Sequence, residues 1–356
     1  MRFHRNCGPF TIFLAAAVVL APIAPVVRSQ QPSAEHEKTA GQLITREADK
    51  AIERGLAYLA SRQHDDGSFG SGGYSRNVAV CALCGMALMS AGSTPGRGPY
   101  GAEVEKCLAF ILENCQQSGF ITVESASSHG PMYGHGFATL FLAECYGMTQ
   151  RGDVREKLSK AIELIVDTQN KDGGWRYQPT RKDADLSVTV CQIMALRAAR
   201  NAGIFVPRET VDRCTDYVKR SQNADGGFMY MIQGGQSAFP RSAAGLVALY
   251  SAGVYEGEVI DKGLAFIHDE YIPRRNAFHR EGSHFFYGHY YAVQAMWHAG
   301  GKRWSEWYAA VRDDLVERQK QREDGSWMDS ICPEYGTAMA CIILQMPNNY
   351  LPIFQR

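Results

Sequence analysis

The sequence predicts an all-α fold, an (α/α)6 toroid of six outer and six inner helices. Two observations predict it: a short glycine-containing turn recurs along the chain, and the helices before and after each turn differ in character. A third observation indicates that the ring closes. The last inner segment, TAMACIILQM, is too apolar to be the polar cap that an open solenoid needs.

The recurring turn reads Gln, two residues, Asp-Gly, Gly or Ser, then Phe or Trp. Four clear copies are QHDDGSF (63–69), QNKDGGW (169–175), QNADGGF (222–228) and QREDGSW (321–327). NCQQSGF (114–120) and HREGSHFF (279–286) are degenerate copies. Their spacing is typical of a two-helix repeat, and glycine permits the positive φ that such turns need.

The helices on the two sides of each turn are predicted to occupy different layers. The segment before the first turn, 44–63, places Ile44, Ala48, Ile52 and Leu56 on one apolar stripe and is charged elsewhere. The segments after the turns, such as NVAVCALCGMALMSAG, are apolar nearly all round. An amphipathic helix covers a core and an all-apolar helix is buried in it, so the two kinds are outer and inner helices.

The N-terminus and the overall charge limit the functional classes. MRFHRN followed by FTIFLAAAVVLAPIAPVV is typical of a secretory signal peptide, so export to the periplasm or medium is predicted; an uncleaved membrane anchor stays open as an alternative. We expect a signal peptide at 1–30, a linker at 31–43, the toroid at 44–347 and a tail at 348–356. Lys+Arg and Asp+Glu both number 37, which gives no reason to expect a nucleic-acid partner. Most of the ten cysteines lie in apolar helices and are predicted to be buried thiols.

The turn motif resembles a known repeat. Q-x-x-D-G-[GS]-[FW] is similar to the QW repeat of the squalene and oxidosqualene cyclases, whose superfamily includes the β-subunits of protein prenyltransferases. The resemblance extends from Ile44 to Met346. It implies the toroid fold, whereas chemistry has to be argued from a site.

A second pattern marks the starts of the inner helices, which are expected to share one mouth of the barrel. The first aligned position is aromatic in five repeats and acidic in one: Tyr74, Tyr133, Asp183, Phe239, Tyr287 and Tyr335. The third aligned position is polar throughout: Arg76, His135, Asp185, Arg241, His289 and Thr337. Equivalent positions of a closed ring face a common space, so these residues form a candidate functional rim. The alternative is that they only cap helices or face solvent.

The aspartates in DADLS, 183–187, are the candidate acid. The segment resembles the Asp-x-Asp-Asp-Thr motif of squalene-hopene cyclases, in which the central aspartate protonates a double bond. The resemblance implies that Asp185 is the proton donor and Asp183 a flanking carboxylate, with His135 and His289 tuning the acid. Leu186 and Ser187 depart from the motif. The alternative from the residues themselves is that Asp185 is the N-cap of helix 186–200.

A diphosphate clamp is the other chemistry that the rim allows. HGFAT, beginning at His135, is loosely similar to the His-Gly-Gly-Tyr-Thr stretch that contacts the diphosphate in prenyltransferases. Arg76, Arg241, His289 and Tyr133 would complete such a clamp, and helix N-termini attract anions. The zinc-binding Asp-x-Cys of that family is replaced by Asp-Ala-Asp, so neither a metal nor a cofactor is predicted.

Aromatic residues of the inner helices are expected to bind the substrate by lining the barrel: Phe137, Phe141, Tyr291 and Trp297, with Tyr290 beside them. Three functions therefore stay open. The first is a toroid that acts on or binds a polyisoprenoid or other lipid. Association of this toroid with a membrane surface also stays open. The second is a non-catalytic toroid that binds a lipid or a protein, the protein partner being unidentified. The third is an exported glycan-active enzyme. An apolar cavity favours the first function, a filled interior the second and a wide polar groove the third.

Overall fold

The computed structural model describes residues 40–272, 284–317 and 321–355. The predicted signal peptide, most of the linker and part of the 279–286 turn lie outside these ranges. Within them the chain forms twelve α-helices and no strand: α1 Arg46–Arg62, α2 Val78–Met89, α3 Gly101–Glu113, α4 Pro131–Cys145, α5 Asp153–Thr168, α6 Leu186–Asn201, α7 Arg208–Arg220, α8 Phe239–Ser251, α9 Glu258–Tyr271, α10 Phe285–Ala299, α11 Gly301–Glu317 and α12 Pro333–Gln345. The predicted all-α fold is confirmed.

The even-numbered helices form the inner ring. Each packs against the inner helix before it and the one after it, and α12 packs against α2. In the outer layer, α11 likewise reaches α1. The ring is therefore closed, as the apolar last helix indicated, and α4 and α10 stand on opposite sides of it. We call the end at which the inner helices begin the upper end.

The glutamine of the turn joins neighbouring repeats. Gln169 donates from Nε2 to the carbonyl oxygens of Gly173 in its own turn and Thr210 in α7, both at 2.9 Å. The same two kinds of bond are made by Gln63, Gln222 and Gln321. The second acceptor of Gln321 is Ala51 in α1, at 2.8 Å. The last turn is thus fastened to the first helix.

The degenerate turn 114–120 is shifted by one residue from its predicted alignment. Cys115 occupies the glutamine position, with Sγ 3.8 Å from the carbonyl oxygen of Gly119 and 4.0 Å from that of Lys157. Ile121, rather than Phe120, occupies the aromatic position, because it forms an isolated bridge with Cys115. The shift was hidden because a thiol and an aliphatic side chain replace the two diagnostic residues.

Restoring glutamine should strengthen this joint between repeats. We expect Cys115→Gln to raise the free energy of unfolding by about 1 kcal/mol, because an amide makes two hydrogen bonds where the thiol makes two long contacts. Urea unfolding of wild type, Cys115→Gln and Cys115→Ala measures this. A glutamine variant no more stable than the alanine variant would show that Cys115 is not in the joining position.

The predicted tail packs against the lower end of the barrel. Leu351, Ile353 and Phe354 are almost fully buried. The Ile353 N–H donates to a carboxylate oxygen of Glu144 at 3.3 Å, and Arg197 donates to the Gln355 carbonyl oxygen at 2.5 Å. The described residues include no helix that is both long and apolar enough to cross a bilayer.

Candidate functional site

Asp185 begins α6. Its backbone is extended, its Oδ1 accepts the N–H of Val188 at 2.9 Å, and its own N–H donates to the Trp175 carbonyl oxygen at 2.9 Å. The capping alternative is therefore confirmed. It does not exclude chemistry, since only one carboxyl oxygen is used by the cap.

The second oxygen of Asp185 is in an unusual position. Oδ2 is buried without a hydrogen-bond partner among the described residues, and the nearest cationic atom is Arg176 Nε at 3.8 Å. Burial raises the pKa of Asp185 to about 6, against the opposing effects of the Val188 N–H, the Tyr230 hydroxyl and Arg176. About one carboxyl in ten is then protonated at pH 7. A cap does not require this burial, whereas a proton donor does.

Asp183 and Arg176 lie beside this carboxyl. Asp183 is about half exposed, and its Oδ2 pairs with Arg176 Nη1. That hydrogen bond raises the pKa of Arg176. The guanidinium also lies over the Tyr177 ring, 5.1 Å from its centroid. One arginine is thus flanked by both aspartates of the DAD segment.

Two tyrosines that were not predicted complete the wall of the site. The hydroxyls of Tyr177 and Tyr230 are hydrogen-bonded to each other. The Tyr177 carbonyl accepts the N–H of Met132, and the Tyr230 carbonyl accepts that of Leu186. Both tyrosines stand two residues after the aromatic residue of their turns. Extending the repeat alignment by two positions would have found them.

The predicted mouth tyrosines fall into two groups. Burial, with the negative charge of Asp185 adding to it, raises the pKa of both Tyr133 and Tyr287, so both lie near the acid. The Tyr287 hydroxyl donates to the Ser187 carbonyl oxygen at 3.0 Å. Tyr335 is buried on α12, whereas Tyr74 bonds through its hydroxyl to His129.

The predicted equivalence of the six rim positions is corrected by the hydrogen bonds of the turns. The N–H at the aromatic position is accepted by the inner-helix side chains His135, Thr189, Ser242 and Thr337. Asp185 and Arg241 therefore do not align with His135 and Thr337. Asp185 lies four residues before Thr189 and Arg241 lies one residue before Ser242, and the alignment of helix starts did not detect these offsets.

The rim histidines face groups other than Asp185. His135 accepts the Ile121 N–H at Nδ1, and its Nε2 faces the Ala161 carbonyl oxygen at 3.3 Å; burial lowers its pKa to about 4. Burial lowers the pKa of His289 to about 3. Its ring lies among those of Phe239, Phe285 and Trp307. The structure places Arg176, rather than either histidine, next to the acid.

The rim arginines are engaged by their own turns. Arg76 pairs with Asp66 and lies over the Phe110 ring. Arg241 donates to the carbonyl oxygens of Phe228 and Gln236. Their place in a diphosphate clamp stays a prediction. The described residues contain no group of three or more His, Cys, Asp or Glu arranged to hold a metal ion.

Aromatic rings pack across the barrel at mid-depth. Phe137 of α4 meets Tyr290 of α10, on the opposite side of the ring, edge-on at 6.1 Å between centroids. Tyr290 packs against Tyr291, whose hydroxyl lies 3.4 Å from Cys191 Sγ on α6. All of these side chains are buried. The interior is filled at this level.

The other two predicted lining residues contact neighbouring helices. The Phe141 ring packs so close to Gly85 of α2 that a Cβ there would lie 2.5 Å from it. Trp297 packs edge-on against Trp304 of the outer helix α11, at 4.8 Å between centroids. The predicted burial of these rings is confirmed, and their contacts are with helices rather than with a cavity.

Comparison with known proteins supports the repeats. The sequence profile of the prenyltransferase alpha-alpha toroid domain matches residues 42–159 and 146–269. Drimenyl diphosphate synthase of Streptomyces showdoensis is 26% identical over 184 residues, which are 50% of this chain and 32% of that enzyme. The match therefore spans about a third of that relative's length.

Solved structures share the fold at low identity. The type II terpene cyclase MstE from Scytonema aligns with a TM-score of 0.58 at 16% identity, over 86% of this chain and 99% of that one. An MstE variant in complex with geranylgeranyl dihydroxybenzoate aligns with a TM-score of 0.58 at 15% identity, over 86% of this chain and 98% of that one. The GH76 alpha-mannanase of Bacteroides thetaiotaomicron aligns with a TM-score of 0.59 at 12% identity, over 87% of this chain and 98% of that one. These likenesses show the fold alone. Because the profile matches more than half of the chain, the chain belongs to the prenyltransferase alpha-alpha toroid family.

Proposed function

We propose that this protein is a terpenoid-cyclase-like toroid that takes a polyisoprenoid at the upper end of its barrel and protonates a terminal double bond with Asp185. The observation that carries the proposal is the buried Oδ2 of Asp185, which has no hydrogen-bond partner among the described residues. A weak acid held out of water, with its other oxygen fixed by a helix, is suited to giving its proton to an apolar group.

The proposed step balances within the site. The proton moves from Asp185 to an alkene carbon, the π electrons form the new C–H bond, and a carbocation remains on the adjacent carbon. The Val188 N–H and Arg176 stabilise the carboxylate that is left. In this proposal the rings of Tyr133 and Tyr287, which lie near Asp185, stabilise the positive charge. Loss of a proton from the cyclised cation to water ends the reaction, and solvent returns a proton to the Asp185 carboxylate.

The relatives support the substrate class. One is named for the synthesis of drimenyl diphosphate, and the MstE complex holds geranylgeranyl dihydroxybenzoate as its substrate. We carry over only the shared class, an isoprenoid with a terminal double bond. The signal-like segment 1–30 adds the proposal that the reaction takes place outside the cytoplasm.

Turnover assays test the acid directly. Residues 31–356 would be incubated with squalene and with isoprenoid diphosphates, and products identified by mass spectrometry. We expect cyclised product from wild type and a loss of at least about 100-fold in Asp185→Asn, the usual size of an acid's contribution. The matched control, Asp183→Asn, changes the neighbouring carboxylate and should keep measurable turnover. Equal product from wild type and Asp185→Asn would exclude Asp185 as the donor.

A second candidate, a non-catalytic toroid that binds a lipid or protein, is favoured by one observation. Phe137 and Tyr290 meet across the barrel, so a substrate has to displace or stop above them. Native mass spectrometry with lipid extraction separates the two candidates. A ligand retained equally by wild type and Asp185→Asn, with no product from either, favours the binding toroid.

A further inference from the structure

Two buried polar atoms face each other in the site without a hydrogen bond. Arg176 Nε and Asp185 Oδ2 are 3.8 Å apart, and neither has a hydrogen-bond partner among the described residues. Nitrogen–oxygen hydrogen bonds in proteins span about 2.7–3.2 Å, so the two atoms stop about half an ångström to an ångström short of one. Buried groups left in this way are uncommon and call for an explanation.

The other end of the same guanidinium is occupied. Arg176 Nη1 pairs with Oδ2 of Asp183, and the plane of the group lies over the Tyr177 ring. Asp183 is about half exposed and Asp185 is fully buried. The arginine is therefore held by the outer carboxylate while its Nε lies 3.8 Å from the inner one.

We propose that Arg176 is a positioning residue for Asp185: it receives the carboxylate that is left when the proton has been transferred, and Asp183 holds it back until then. The inference rests on the proposed function and deepens it, because it assigns different tasks to the two aspartates of the DAD segment. Arg176 touches neither substrate nor reacting carbon in this scheme and acts only through Asp185.

The charges explain why both aspartates are needed. While Asp185 is protonated, the full negative charge of Asp183 retains the arginine. Once Asp185 is ionised, a movement of about 1 Å forms a charge-assisted hydrogen bond, which is shorter and stronger than a neutral one. A permanent pair between Arg176 and Asp185 would depress the acid's pKa and reduce the protonated fraction at neutral pH still further.

Other titratable groups also face Asp185, and all of them are hydroxyls or a thiol. They come from the turns and from α4, α6, α7 and α10: Tyr133, Tyr177, Cys191, Tyr217, Tyr230 and Tyr287. Burial raises the pKa of Tyr133, Cys191, Tyr217, Tyr230 and Tyr287, so these five groups are neutral near pH 7. Arg176 and Asp183 are thus the charged neighbours that the test has to change.

The test is the pKa of Asp185, measured by carbon NMR on protein labelled at aspartate, in the full chain. We expect Arg176→Met to move that pKa upward by about 1 or more and Asp183→Asn to move it downward by about 1. Arg176→Lys, which keeps the charge, should restore most of the wild-type value. Asp212→Asn, which removes an exposed carboxylate paired with Arg208 on α7, is the matched control and should change nothing.

The double variant separates positioning from general electrostatics. If Asp183 acts by holding Arg176, then Asp183→Asn has little further effect in the Arg176→Met background. Additive shifts, or no shift from either substitution, would overturn the inference. The readout needs no substrate, so it is independent of turnover. If Asp185→Asn loses turnover but Arg176 and Asp183 show no coupling in the pKa of Asp185, the proposed function stands and this inference fails. If that coupling is present but Asp185→Asn keeps normal turnover, the positioning of Asp185 by Arg176 stands and the proposed function fails.

Discussion

Asp185→Asn is expected to make the protein more stable at alkaline pH, by about 3 kcal/mol near pH 8, while removing the proposed proton donor. Burial raises the pKa of this carboxyl from 3.8 to about 6. The protonated form is therefore favoured by folding, and its contribution is fully present below pH 3.8 and lost as the pH rises through about 6. A shift of about 2 in pKa corresponds to about 3 kcal/mol.

Asparagine suits the site because it keeps the cap. Its amide oxygen can accept the Val188 N–H as Oδ1 does, and asparagine ranks with aspartate as an N-cap. The charge is removed, so the cost of burying it disappears. Near pH 4 the variant and wild type should differ by less than about 1 kcal/mol, because wild type is already largely protonated there.

Urea unfolding at about pH 4, 6 and 8 measures the effect, and Asp212→Asn is the control. Asp212 is exposed and paired with Arg208 on α7, so its neutralisation should give no gain that grows with pH. An Asp185→Asn variant that is less stable than wild type at pH 8 would mean that the carboxylate is retained for stability. A stabilised variant indicates a residue kept for function at a cost in stability.

The second large effect is expected at the joint that closes the ring. Gly325 has φ +91°, and a Cβ on it would lie 2.6 Å from the carbonyl oxygen of Arg54 in α1. We expect Gly325→Ala to lower the free energy of unfolding by about 3 kcal/mol, because it adds backbone strain and pushes the first helix away from the last turn. Hydrogen exchange in α1 should rise with it.

Gly203 is the matched control for this substitution. It also has positive φ, at +81°, but a Cβ there would meet nothing within 4 Å. Gly203→Ala therefore carries the strain without the collision and should cost about 1 kcal/mol. If both variants lose the same stability in urea, the close approach of the turn to α1 does not hold the ring shut.

The overall fold could be predicted because it depends on local signals that repeat. The alternation of amphipathic and apolar segments follows from burial, and the turn glycines follow from positive φ, as Gly325 illustrates. Cys115 and Ile121 were not recognised because their residue types differ from the glutamine and the aromatic residue that define the motif. The sequence predicted that the ring closes, but it could not show that the closing hydrogen bond joins Gln321 to the Ala51 carbonyl oxygen.

The candidate site was predicted less completely, for a geometric reason. Asp185 was identified by residue type and position, and its proximity to Tyr133 and Tyr287 followed from the shared mouth. Arg176 was missed because it directly follows Trp175, the aromatic residue of its turn, and the alignment of helix starts did not include that position. The meeting of Phe137 and Tyr290 depends on the width of the closed ring, which no local pattern encodes.

The most direct test of the central claim is a reaction in deuterium oxide with a polyisoprenoid that has a terminal double bond, followed by mass spectrometry of the product. If Asp185 protonates the alkene, the cyclised product carries deuterium on the less substituted carbon of the former terminal double bond, and Asp185→Asn gives no such product. Cyclised product without solvent deuterium, or labelled product from wild type and Asp185→Asn alike, would contradict acid initiation by Asp185.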